Sequence, residues 1–297
     1  MLREILRGTG VALVTPFNEN KSIDFNALQA LINFVIEGGV QYIVTLGTTG
    51  ETPTLSREEK LDVLQATFTA VSARVPVVIG IGGNDTHSIV KDIETFPVEK
   101  ATAVLSASPY YNKPSQDGIF QHYKAISEAT TKPVILYNVP GRTGSNISAA
   151  TTVRLAHEVP GIAGTKEASG NMIQCMQILR DKPQEFMVVS GDDNLSLAQI
   201  ACGMDGVISV AANCFPKDFS LMVSAALEGD FQKARRYNNM LLQGYELLFA
   251  ENNPAGVKAV LSEMGIIQNH LRLPLVPLSE NLHLQLKAYL QTLKLTA

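Results

Sequence analysis

Eight short runs of β-branched and apolar residues recur along the chain, at 10–15, 42–46, 75–81, 103–107, 134–138, 162–166, 186–190 and 206–210. They are continuously apolar rather than alternating, the pattern of parallel strands buried on both faces. Between them lie helical patterns. Phe25, Leu28, Leu31, Ile32 and Val35 follow the three-four spacing of one helix face. Ser56-Arg57-Glu58-Glu59 reads as a capping box ahead of Leu61, Val63 and Leu64. Asp192, Asp193 and Asn194 offer N-caps before the segment 195–198. The units repeat every roughly 20 to 35 residues, the length of a strand, a helix and their connections. Eight in succession predict a (β/α)₈ TIM barrel, an α/β fold. A doubly wound sheet is the alternative, but the first run ends in Thr15-Pro16-Phe17-Asn18 and carries no phosphate-binding glycine fingerprint.

The last run ends near residue 210 of a 297-residue chain. One helix, with Pro216 in its first turn, is expected to close the barrel. Further helices are expected over about 229–249, 254–264 and 279–294. The chain therefore divides into a catalytic barrel, 1–228, and a small helical C-terminal domain, 229–297. Net charge is −4, from 24 Lys and Arg against 28 Asp and Glu, with no basic run. That argues against nucleic acid and against an anionic membrane surface as partners. No apolar run reaches the roughly 18 residues needed to span a bilayer. The first residues, Met1 to Arg7, lack an apolar core and a small-residue cleavage site, so no signal peptide is expected. Cys175, Cys202 and Cys214 are odd in number and unclustered, which argues against a disulfide framework and for a cytoplasmic location.

His87, His122, His157, His270 and His283 show no metal-ligand spacing, and the P-loop, nucleophile-elbow and zincin motifs are absent. In a barrel, chemistry sits at the C-terminal ends of the strands. There Lys166 closes the apolar run 161–165, so its stem should lie inside the barrel. Desolvation disfavours an ammonium, and a neutral amine can attack a carbonyl to form a Schiff base. The competing reading is a lysine that snorkels to solvent or pairs with Glu167. Glu167, however, is its strand neighbour and should face the other way. Tyr137 ends the preceding strand and can bring a phenol near Lys166, with a hydroxyl relay needed to move protons at neutral pH. Thr48 and Thr49, in a Gly-Thr-Thr-Gly turn, can supply that hydroxyl, and the turn's N–H groups can hold a carboxylate. Arg142, in Pro-Gly-Arg-Thr-Gly, has the fork that suits a second carboxylate. A lysine for a keto acid and an arginine for another acid imply two acidic substrates joined carbon to carbon.

GTTGE at 47–51, SPYYNKPSQ at 108–116, YNVPGRTG at 137–144, GTKEASG at 164–170, SGDD at 190–193 and GVISVAAN at 206–213 together resemble the dihydrodipicolinate synthases. These stand within the superfamily of N-acetylneuraminate lyase and related class I aldolases. The resemblance runs along nearly the whole chain. It implies condensation of pyruvate with L-aspartate 4-semialdehyde, in lysine and diaminopimelate biosynthesis, with no metal or organic cofactor. Lys166 matches the Schiff-base lysine, Tyr137 the tyrosine over it, and Thr48 the threonine linking two relay tyrosines. Tyr111 matches the second of these, which in the family reaches a neighbouring subunit. Thr49 matches a residue holding the pyruvate carboxylate, Arg142 the arginine for the aldehyde's carboxylate, and Gly191 and Ile208 main-chain positions lining the pocket. The family assembles as homotetramers or dimers built on a tight dimer. Many members bind L-lysine as a feedback inhibitor at that interface. Tyr110 and Asn84 fit the sensitive pattern, but Arg57, Lys60 and Ser88 depart from it, so weak or absent feedback is expected. The alternatives are a sibling aldolase acting on N-acetylneuraminate or a keto-deoxy sugar acid, and a non-catalytic barrel that binds keto acids.

Overall fold

The computed structural model describes residues 1–296, so Ala297, the end of the expected C-terminal domain, lies outside the described residues. Eight strands form a closed barrel: β1 (Gly8–Ala12), β2 (Tyr42–Thr45), β3 (Val77–Gly80), β4 (Ala103–Ala107), β5 (Val134–Asn138), β6 (Ile162–Glu167), β7 (Met187–Ser190) and β8 (Gly206–Ser209). All neighbours are parallel, and β8 closes on β1 with Gly8 opposite Gly206 and Val11 opposite Ser209. The continuous apolar runs follow from two buried faces. Val44, Val78, Leu105, Ile135 and Val189 fill the barrel interior. Their strand neighbours Ile43, Ile79, Val104, Leu136 and Val188 pack outward under the helices.

β1 begins earlier and ends sooner than the run 10–15 suggested. Its start rests on a glycine pair: a Cβ at Gly206, where φ is +148°, would stand 2.0 Å from the Gly8 carbonyl oxygen. Its end comes where Val14 N–H leaves the ladder and donates to Asn213 Oδ1 at 3.3 Å. The helix Phe25–Glu37 is capped by Asp24, and Arg57–Val71 opens with the reciprocal Ser56–Glu59 capping box. Pro216 stands in the first turn of Pro216–Leu227. The expected cap at 192–194 is not made. The helix there spans Ser196–Ala201 and has no side-chain cap. Asp193 Oδ2 instead accepts from Val210 N (3.1 Å) and Ala211 N (2.8 Å), tying the end of β7 to the end of β8.

Three further helices, Phe231–Phe249, Ala255–Glu263 and Glu280–Thr296, make up the C-terminal helical segment. The middle one is buried from Ala255 to Leu261. The segment before and after it returns to the mouth of the barrel, where Asn253 and Arg272 bond to the loop that follows β2. No helix among the described residues is long and apolar enough to cross a membrane.

Candidate active site

β6 presents Lys166 to the barrel interior and Glu167 to the outside, as alternation on a strand requires. Lys166 is 4% exposed. The register sets Tyr137 of β5 directly opposite Lys166, and the lysine Nζ lies 4.3 Å from the tyrosine ring centroid. Gly191 leaves room for the lysine stem. A Cβ there would meet Ala168 Cβ at 2.5 Å and Lys166 Cε at 3.0 Å. Lys166, Tyr137, Thr48, Thr49, Arg142 and Gly191 all line one cavity of about 460 Å³. It was reached from strand ends scattered over more than a hundred residues of sequence, which is how a barrel builds a site.

The Gly-Thr-Thr-Gly segment is a single 3₁₀ turn, Thr48–Gly50. Its first N–H groups have no acceptor within the turn, so they suit an anion. The turn is held from several sides. Thr15 Oγ1 donates to Gly50 O at 2.7 Å and Thr52 Oγ1 to Gly47 O at 2.8 Å. Asn253 Nδ2 donates to Thr49 Oγ1 at 3.0 Å. Glu51, in the left-handed region at φ 53°, is paired with Lys258 at 2.5 Å, and neither side chain reaches solvent. Arg272 N–H donates to the other Glu51 oxygen at 3.0 Å, and Lys258 also donates to His270 O at 2.9 Å. Burial pulls the Lys258 ammonium down to about 8, with Glu51 opposing the shift.

Behind Lys166, Glu167 is fully buried and accepts from Ser169 N–H, Asn138 Nδ2 and Gln174 Nε2. Its carboxyl is raised by burial, so it is a structural acceptor and not the partner of Lys166. Asn138 Oδ1 in turn accepts from Ile147 N at 2.9 Å, closing the loop that carries Arg142 on the turn Pro140–Thr143. Arg142 is exposed at the rim of the cavity. Asp192 lines the cavity as well, and burial, then the neighbouring Asp193, push its carboxyl up to about 6 against the pull of Lys166.

Two expected site residues stand apart. Tyr111 is 86% exposed at φ 73° and does not line the cavity. Among the described residues no hydrogen bond joins it to Thr48 or Tyr137, so the relay is open within one chain. Ile208 is fully buried, and Val210, two residues on, lines the cavity in its stead. An adjoining cavity contains Lys60 and Tyr110 and shares Thr48, Tyr137 and Arg142. Arg57 turns elsewhere, onto Asp92 at 3.5 Å and the Phe96 ring at 5.5 Å. Of the two cations expected there, only Lys60 lines that space. Sequence reasoning missed Asp192 and the stretch Glu251, Asn252 and Asn253, which also line the catalytic cavity. The polar Glu-Asn-Asn-Pro break between two helical segments was the available signal.

A parallel barrel with a water-shielded lysine at its C-terminal rim, stacked on a phenol, defines a Schiff-base-forming enzyme of the class I aldolase type. Comparison with known proteins gives the family. The sequence pattern of the Dihydrodipicolinate synthetase family matches residues 5–293, and the chain belongs to that family. It is 50% identical over 272 residues to a 4-hydroxy-tetrahydrodipicolinate synthase of Parabacteroides distasonis, covering 92% of each chain. The dihydrodipicolinate synthase structure of Aquifex aeolicus matches with a TM-score of 0.94 at 38% identity, over 97% of this chain and 98% of that one. The chloride-inhibited dihydrodipicolinate synthase of Acinetobacter baumannii, solved in complex with pyruvate, matches at 0.93 and 41% identity, over 96% and 98%. The chain is an enzyme, a lyase.

Proposed function

We propose that this enzyme condenses pyruvate with L-aspartate 4-semialdehyde, the first reaction committed to diaminopimelate and lysine, as a 4-hydroxy-tetrahydrodipicolinate synthase. The observation that carries the mechanism is Lys166, shielded from water and seated against the Tyr137 ring in a cavity whose rim bears Arg142. Lys166 Nζ attacks the keto carbon of pyruvate, and the carbinolamine loses water to give an imine. Loss of a methyl proton gives an enamine, which attacks the aldehyde carbon. The substrate's own amine then closes the ring on the imine carbon and expels Lys166. The Tyr137 phenol moves protons to and from the departing oxygen, with Thr48 as the next hydroxyl. Thr49 and the turn's N–H groups hold the pyruvate carboxylate, and Arg142 holds that of the aldehyde. Gly191 contributes main chain to the wall, and Ile208 belongs to the buried cluster that includes Tyr137. The reaction requires neither metal nor organic cofactor.

Tyr111 completes the relay of a second copy across a tight dimer, alone or within a homotetramer. Its support is an exposed tyrosine on strained backbone, beside the half-exposed Tyr110. Feedback by L-lysine is weak, because Lys60 puts a cation in the adjoining cavity and Ser88, its hydroxyl bound to Asp85, supplies no carboxylate for an ammonium. The enzyme acts in the cytoplasm, a reading supported by its free cysteines. The test is turnover of pyruvate with L-aspartate 4-semialdehyde, coupled to the reductase that consumes the product and followed by nicotinamide absorbance. Turnover is expected. Pyruvate captured on Lys166 without turnover would reassign the partner aldehyde to a sugar acid aldolase substrate.

A further inference from the structure

Thr49 is 2% exposed and its Oγ1 accepts one hydrogen bond, from Asn253 Nδ2 at 3.0 Å. A hydroxyl has one proton to give, and among the described residues no protein acceptor takes that of Thr49. Asn253 is itself 6% exposed, and both residues line the catalytic cavity. With the Asn253 amide donating to it, the Thr49 hydroxyl aims its proton away from that amide, and the cavity both residues line offers room for an acceptor. We propose that Asn253 is a positioning residue that fixes the Thr49 hydroxyl as a donor toward the substrate carboxylate, so that the C-terminal helical segment sets the polarity of the pyruvate subsite. The inference rests on the reading of Thr49 as a carboxylate ligand.

The mounting of Asn253 fits this role. It stands two residues before the buried helix Ala255–Glu263, whose Lys258 is clamped to Glu51 at the other end of the same threonine turn. Two bonds from one short stretch of chain therefore grip the turn on either side of Gly50. A buried ion pair is a weak source of stability beside well-packed apolar residues. Here it holds the spacing between Asn253 and Thr49, and a fixed donor needs no reorganisation when an anion arrives.

The experiment is a double-mutant cycle on the full-length enzyme, with Asn253→Ala, Thr49→Val and the pair. Removing the amide frees the hydroxyl to rotate. KM for pyruvate is expected to rise about fivefold in Asn253→Ala with kcat and the KM for the aldehyde little changed. In the Thr49→Val background the same substitution is expected to add nothing. Asn253→Asp keeps the shape but accepts the Thr49 proton, so its KM for pyruvate should rise further than that of Asn253→Ala. Multiplying effects in the double variant would overturn the proposal, because Asn253 would then act apart from Thr49. An unchanged KM in Thr49→Val would instead sink the reading of Thr49 itself. If Asn253→Ala does not fold, Asn253→Asp decides: a KM for pyruvate at or below that of the parent enzyme overturns the proposal.

Discussion

Lys258 and Glu51 form an ion pair at 2.5 Å with both side chains closed to water. Replacing Lys258 with Met keeps nearly the same volume, so the cavity cost is small. What remains is a carboxylate that has lost its cation and keeps the Arg272 N–H at 3.0 Å. Removing one partner of a buried pair costs about 3–5 kcal/mol. Unfolding entropy scales with chain length, so for a chain of 297 residues this is a fall in Tm of roughly 5–8 °C. Glu51→Gln should cost less, about 1–2 kcal/mol, because the amide oxygen still accepts and Lys258 retains His270 O and the Phe17 ring at 4.1 Å. The double variant Glu51→Gln/Lys258→Met carries no uncompensated charge and should regain at least half of the loss seen in Lys258→Met. The assay is calorimetric unfolding of all four proteins at pH 7 and one protein concentration, since assembly makes Tm depend on concentration. A fall under about 2 °C for Lys258→Met, or a double variant as unstable as the two singles combined, would show that the pair does not hold the turn.

Arg142→Ala should raise KM for the aldehyde at least about tenfold while leaving pyruvate capture intact, because a charge-assisted carboxylate contact is lost from one substrate only; steady-state kinetics in each substrate checks it. Asp192 has its carboxyl raised to about 6, so the folded state holds a proton that the unfolded chain releases between about 4 and 6. Its contribution to stability is present below that window and is lost as pH rises through it. Asp192→Asn should therefore gain Tm on the parent enzyme at pH 7–8 and lose that advantage near pH 4, as read by unfolding across the range. Tyr111→Phe should lower kcat about 10- to 100-fold with little change in KM for pyruvate, and L-lysine at millimolar concentration should leave more than half of the turnover.

Much of the barrel was readable because its strands are buried twice over, which writes β-branched runs straight into the chain. Lys166 stood out for the same reason, as a cation ending an apolar run. The bounds of β1 were misread because closure depends on Gly8 meeting Gly206, and glycine carries no strand signal. Asp192 and Asp193 looked like helix caps because capping is the commonest local use of such residues. The two N–H groups that Asp193 accepts lie 17 and 18 residues downstream. Asn253 and Lys258 were invisible for the same reason at larger scale. Their contacts to Thr49 and Glu51 span some two hundred residues, and only the return of the C-terminal segment to the barrel mouth brings them together.

The chemistry proposed for Lys166 is covalent. The enzyme would be incubated with pyruvate and borohydride, digested, and mapped by mass spectrometry, with Lys166→Ala in parallel. One adduct is expected on the peptide bearing Lys166, of the mass of pyruvate less water plus two hydrogens, and none in the variant. An unmodified Lys166, or equal labelling of the variant at another lysine, would contradict that chemistry.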